Sequence, residues 1–196
     1  MLKLISYTKL EKEVSTMIKV SRFEHSLRVK ETAVKLAKVY APSLEIAASY
    51  VGIFHDAYRY LSGEECLEIC QKAKLEIFAE EIANPMLLHG AVAALNFASV
   101  AGPCPLSFFK AMRYHTLGNI DMGVLGAILY VADYIEPGRT HLTDSDREDI
   151  LAVKKLEAIV LNIVNREFEY SAKIEREVAT STSCLRTYLQ KGGKFD

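Results

Sequence analysis

Apolar residues recur along this chain at helical spacing, and the alternating pattern of a half-buried strand is not evident. His25, Val29, Ala33, Leu36 and Tyr40 share one stripe, at spacings of four, four, three and four. Met86 to Val100 is apolar almost throughout, with Leu88, Val92, Leu95 and Ser99 along one side. Leu125, Ile128, Leu129 and Ala132 form a third stripe. Local signals place the boundaries. Residues 8–18 predict a short charged amphipathic helix. Ser21-Arg22-Phe23-Glu24 reads as a capping box that opens the helix carrying the His25 stripe. Pro42-Ser43 opens a helix that runs into His55 and Asp56, and Ser62 with Glu65 opens another to about residue 73. Asn84-Pro85 starts the helix from Met86, which Gly102-Pro103 closes. Leu106 to Tyr114 follows, and Glu136-Pro137-Gly138-Arg139 ends the helix of the third stripe. Ser145 with Glu148 resembles one more capping box, before helices at Leu151 to Ile174 and Cys184 to Leu189. The expected fold is all-α, one domain over residues 1–196, with a core at about 20–140 and C-terminal helices at about 145–190.

Length and composition fit that reading. A chain of 196 residues, 50% hydrophobic and 25% charged, can bury one sizeable core. A net charge of -1 and a pI near 6.5 give no electrostatic grip on nucleic acid. No apolar run approaches the ~20 residues of a membrane span, and Met1 to Lys9 holds too short an apolar stretch for a leader peptide. A cytoplasmic protein is expected. The four cysteines include no Cys-x-x-Cys pair; Cys66 and Cys70, one turn apart, read as a reduced buried pair.

The candidate chemistry is a set of histidines and aspartates on or beside the apolar stripes: His25, His55, Asp56, His89, His115 and Asp133. Adjacent side chains on a helix diverge by ~100°. His55 can thus stay with the core while Asp56 points aside and bridges two ions. His89 sits in the most apolar helix, where an imidazole needs a partner. Asp133 directly follows a buried stripe, which is unusual for a carboxylate that is neither paired nor ligating. Each residue has an alternative reading, such as a core histidine bonded to a carbonyl. One metal centre accounts for all six together. Imidazole and carboxylate donors suit Fe, Mn, Zn, Co or Ni, and the lack of cysteine among them argues against structural zinc. The Thr116–Gly118 turn can meet an anion or act as a plain helix cap. Arg139 offers a guanidinium for phosphate. His141, beside Asp144 and Asp146, reads as a surface residue.

The order His25 … His55-Asp56 … His89 … His115 … Asp133 resembles the HD-domain metal-dependent phosphohydrolases. Arg22-x-x-His25, Leu88-His89-Gly90, Arg113-Tyr114-His115-Thr116-x-Gly118 and Ala132-Asp133-Tyr134-Ile135-Glu136-Pro137-Gly138-Arg139 are similar to its YqeK branch, over roughly residues 20–190. In two places the chain departs from that pattern: Arg59 stands where members commonly have lysine, and the charged stretch from Arg166 to Glu177 has no obvious counterpart.

The resemblance implies a helical HD fold and a symmetrical bis(5'-nucleosyl)-tetraphosphatase that cuts diadenosine tetraphosphate into two ADP. It implies two metal ions, iron first, with Mn, Co, Ni or Zn as alternatives. His25, His55, Asp56 and Asp133 would hold one ion; Asp56, His89 and His115 would hold the other, with Asp56 bridging. The implied chemistry is attack on phosphorus by a hydroxide that the two ions generate. Arg59, Arg139 and the turn Thr116–Gly118 would neutralise phosphate charge. Tyr58, Tyr60 and Tyr114 are candidate walls for adenine. The implied partners are a small nucleotide and a second copy of the chain, with neither nucleic acid nor membrane. Three further readings stay open: a one-metal nucleotidase acting on mononucleotides, a di-iron oxygenase and a non-catalytic nucleotide sensor.

Overall fold

The structure, a computed structural model, describes residues 3–196. Met1 and Leu2, part of the leader reading, lie outside the described residues. Among these residues there are eleven α-helices and no strand. They are α1 (Tyr7–Met17), α2 (Val20–Tyr40), α3 (Glu45–Phe54), α4 (Gly63–Lys72), α5 (Ala79–Ala83), α6 (His89–Ala101), α7 (Leu106–Tyr114), α8 (Gly123–Ile135), α9 (Asp144–Leu151), α10 (Leu156–Lys173) and α11 (Thr180–Gln190). Short 3-10 turns, Pro42–Leu44 and Pro85–Leu88, lead into α3 and α6. No helix of the described residues is long and apolar enough to cross a membrane.

The all-α expectation holds, and the stripes are what build the core. Val29, Ala33 and Leu36 of α2 are buried against α3 and α8, in line with His25 on the same face. Gly52 allows the close α2–α3 approach: a Cβ there would sit 2.7 Å from the Lys30 Cα. Phe54, Phe97 and Phe108 stack through the centre, with ring centroids 5.1 and 5.4 Å apart, and join α3, α6 and α7. One continuous core runs from Leu10 of α1 to Phe195, and α10 packs on α8. Cys66 and Cys70 are free and buried in a smaller cluster with Leu88, Ala91 and Val92. Burial pushes the Cys70 thiol up to about 11.

Several boundaries differ from the sequence expectation, each for a local reason. Ser21 does not cap α2; it lies in the first turn of a helix that begins at Val20, with the Arg22 and Phe23 amides bonded to the Lys19 carbonyl. The cap of α9 is Thr143, whose hydroxyl accepts from the Asp146 amide at 3.1 Å while the Asp146 carboxylate accepts from the Thr143 N–H at 2.9 Å. The Ser145–Glu148 pair matched the same pattern two residues late. The helix expected from Leu151 to Ile174 is broken at residues 152–155. Ile150 and Ile159 are both fully buried. At ~100° per residue an unbroken helix would put them on opposite faces, and the break lets both reach the core. The short α5 was not foreseen. The last helix is longer than Cys184 to Leu189, because Thr182 also packs inward and donates its hydroxyl hydrogen to the Leu117 carbonyl at 2.7 Å.

Candidate metal centre

Five chain segments deliver the six expected side chains to one buried place. His25 comes from the first turns of α2 and Asp133 from the last turn of α8. His55 is the C-cap of α3, Asp56 follows it in the turn, and His115 is the C-cap of α7. His89 is the first residue of α6, not an interior one, because the preceding residues form the 3-10 turn. Four of the six sit at helix ends, where a side chain can turn into the core without interrupting a packed stripe.

A repeated local device aims three of the rings. The Nδ1 atoms of His55, His89 and His115 each lie 2.8 Å from the carbonyl three residues back, on Gly52, Met86 and Met112. A carbonyl can only accept, so each Nδ1 carries the hydrogen and each Nε2 turns its lone pair inward. His25 differs: its Nδ1 lies 3.1 Å from the carboxylate of Glu136. Gly90 makes room for the arrangement, since a Cβ there would come within 2.7 Å of the His115 ring. That is a steric reason for the glycine after His89.

The inward atoms divide around Asp56, which is 3% exposed. Its Oδ1 lies 3.0 Å from His89 Nε2 and 3.9 Å from His115 Nε2, and those two nitrogens are 3.3 Å apart. Its Oδ2 lies 3.4 Å from His55 Nε2 and 3.7 Å from His25 Nε2. Asp133 Oδ1 completes that side, 3.1 Å from His25 Nε2 and 4.0 Å from His55 Nε2. Each carboxylate oxygen of Asp56 therefore faces its own pair of imidazoles.

Charge in the cluster follows from this packing. Burial would raise the Asp56 carboxyl, but His55 and His89 outweigh it and hold it well below the carboxylate range. Asp133 is held low in the same way, burial being overcome by His25, Arg139 and His55. Burial and the neighbouring His55 and His89 push His115 down to about 3, so it is a neutral donor at ordinary pH. His55 shifts up, because Asp56 and Asp133 outweigh its burial.

These residues fit a bound cation. His25, His55 and Asp133 place one donor atom each within 4.8 Å of one another, and so do His55, Asp56 and His115. The Nε2 atoms of His25 and His55 are buried with no hydrogen-bond partner. Unpaired buried lone pairs facing carboxylate oxygens form a set of donors that a divalent ion satisfies.

The arginines around the cluster were only partly legible. Arg139 pairs with the Asp133 carboxylate and donates to its carbonyl at 2.8 Å. Arg22, which the sequence reading used only as part of a motif, lies 3.0 Å from Asp56 Oδ2. Together with Arg28, His25, Tyr60 and His141 these two line an open cleft of about 320 Å³. His141 is exposed, as expected, at the rim of this cleft and edge-on to Tyr134. Arg59 is half-buried, its Nη1 3.5 Å from His89 Nδ1. Since that Nδ1 already donates to Met86, the two are neighbours, not a hydrogen bond. Arg147 was missed: its guanidinium binds the carbonyls of Ile135, Leu142 and Arg139 and so shapes the loop that carries Arg139. Arg113 makes a buried bidentate pair with Glu81 that ties α5 to α7.

The turn after His115 is a correction in part. The Thr116 hydroxyl stays beside the centre, 3.4 Å from His115 Nε2. Gly118 does not: its amide donates to the Tyr114 carbonyl at 2.9 Å, and at φ +69 it is buried beneath Leu185. Its N–H is spent on capping α7 and has none left for a phosphate.

A helical chain that converges four imidazoles and two carboxylates on one buried point has the layout of a metal-binding helical protein. The chain belongs to the HD domain family, whose profile matches residues 22–138. It is 29% identical over 171 residues to the "Bis(5'-nucleosyl)-tetraphosphatase, symmetrical" of Bacillus subtilis (strain 168), covering 87% of this chain and 90% of the relative. A Staphylococcus aureus protein of the same name is 34% identical over 128 residues, 61% of this chain and 60% of that one. A solved structure from Clostridium acetobutylicum, described as a "predicted HD superfamily hydrolase involved in NAD metabolism", superposes with a TM-score of 0.86 at 30% identity, covering 96% of this chain and 99% of that one.

Proposed function

We propose that this chain is a metal-dependent phosphohydrolase that cleaves diadenosine tetraphosphate symmetrically into two ADP. The observation that carries the reading is the two-sided environment of Asp56, with one carboxylate oxygen toward His89 and His115 and the other toward His25 and His55. Such a layout suits two cations that share one carboxylate. The names of the Bacillus and Staphylococcus relatives supply the substrate.

His25, His55, Asp133 and Asp56 Oδ2 would hold one ion, and Asp56 Oδ1, His89 and His115 the other. Iron is the metal that the reading favours. Bound there, the ions supply Lewis acidity to water and to phosphate oxygens. The chain's own side chains do the rest. Arg22 and Arg139 pair with Asp56 and Asp133 at the border of the open cleft, where their guanidinium groups would meet the polyphosphate. Arg59 and the Thr116 hydroxyl border the His89–His115 side and meet the phosphate there. Tyr60, 47% exposed at the edge of the cleft, offers a face for adenine.

The test is product analysis on purified protein. Diadenosine tetraphosphate should yield ADP alone. AMP together with ATP would mean asymmetric cleavage and reject the assignment, and turnover confined to mononucleotides would favour the one-metal nucleotidase. A second expectation concerns Arg59. Arg59→Ala should lower turnover by about 100- to 1,000-fold, the usual cost of one lost transition-state donor, with metal content unchanged. Arg59→Lys should recover much of it if charge is what the position supplies. A silent Arg59→Ala would return the residue to the surface.

A further inference from the structure

Glu136 separates His25 from the other three imidazoles. Glu136 is 1% exposed, and polar partners meet both of its carboxylate oxygens. Oε1 accepts from His25 Nδ1 at 3.1 Å, and Oε2 accepts from Arg28 Nε and from the Gly138 amide, both at 2.6 Å. The rings of His55, His89 and His115 instead lean on neutral backbone carbonyls. An imidazole whose Nδ1–H meets a carboxylate is a stronger electron donor at Nε2 than one that meets a carbonyl, and its ring is fixed more firmly. The donor count leans the same way. The side holding His25 gathers His25, His55, Asp133 and one oxygen of Asp56, whereas the other gathers His89, His115 and the second oxygen.

We propose that Glu136 is a positioning residue that makes the His25–His55–Asp133 side the tighter of two unequal cation sites. The inference rests on the two-cation reading and adds an order of filling to it. The first ion fills the His25 side and stays; the second, on the His89–His115 side, is the exchangeable one. Arg28 moderates the effect, because its guanidinium draws on the same carboxylate.

The test is titration of the metal-stripped full-length protein with cobalt(II), followed by calorimetry and by the visible absorption of the bound ion. Wild-type protein should bind in two resolved steps. His89→Ala should lose the weaker step and keep the tighter one. Glu136→Gln should weaken the tighter step by about 10- to 100-fold, the usual cost of losing a carboxylate behind a ligating histidine, and leave the weaker step within about twofold. Arg28→Ala gives the opposite sign: the tighter step should strengthen, because Glu136 is then less neutralised. If Glu136 were only a brace between α2 and the α8 end, removing either partner would weaken the step. The Arg28 arm therefore decides the matter even where Glu136→Gln fails to fold. Equal loss in both steps on Glu136→Gln, an unchanged or weakened tighter step on Arg28→Ala, or loss of the tighter step on His89→Ala overturns the proposal. Wild-type protein that takes up fewer than two ions overturns the two-cation reading itself, before any variant is compared.

Discussion

Asp56→Asn is expected to lose both cations and to stop hydrolysis, with helical content near normal. Asp56 lies within 4 Å of the inward nitrogens of all four histidines. Asparagine keeps the volume and one oxygen but removes the charge that two divalent ions would share. It also puts an amide N–H₂ where one set of imidazoles expects an acceptor. Neither side then retains an anionic bridge, and the His89–His115 side retains no anion at all. Turnover should fall by at least about a thousandfold, as when one member of a group that acts as a unit is removed. Arg22 loses its partner as well, but it is partly exposed and can turn to water, so the fold should tolerate the change. Elemental analysis, circular dichroism and turnover on one preparation check all three parts. Normal metal content with normal turnover would show that Asp56 bridges no cations and is a buried hydrogen-bonding carboxylate.

The parts of this molecule that were legible in the sequence are those with a period or a spacing. The stripes gave the helices because burial of one face is what a 3.6-residue period records, and His25 could be placed because it continues the row of Val29, Ala33 and Leu36. The six clustered side chains could be listed for a related reason: histidine and aspartate seldom border apolar stripes without a partner. What could not be read was set by contacts between distant segments. Glu136 looked like the end of a helix, and only the fold places its carboxylate under His25, 111 positions earlier in the chain. Arg22 stood in the sequence only as part of a motif and Arg147 carried no signal at all; folding sets them against Asp56 and against the loop carbonyls. Gly118 was misread for the converse reason. A turn with a positive-φ glycine looks alike whether its amide is free or bonded, and here it is bonded. Helix breaks such as residues 152–155 belong to the same class, because a register choice depends on which side of each helix finds the core.

His89→Ala should reduce the bound metal from two ions per chain to one, and should abolish tetraphosphate cleavage while the helices remain. His89 is 4% exposed, and its Nε2 lies 3.0 Å from Asp56 Oδ1 and 3.3 Å from His115 Nε2. Those contacts belong to one side of Asp56 only. Truncation leaves the second ion with His115 and a shared carboxylate, too few donors for tight binding. The first ion keeps His25, His55, Asp133 and Asp56 Oδ2. Structure should survive, because His89 opens α6 and its loss frees only the Met86 carbonyl, at a cost of about 1–3 kcal/mol for an unpaired buried group. His115→Ala should give the same one-ion result through the other ligand. His115 is already neutral above about pH 3, so proton competition at that ring cannot imitate the loss at neutral pH. A His89→Ala protein that keeps its metal content and cleaves at the wild-type rate would make His89 a core histidine, held in place by the Met86 carbonyl and not by a cation.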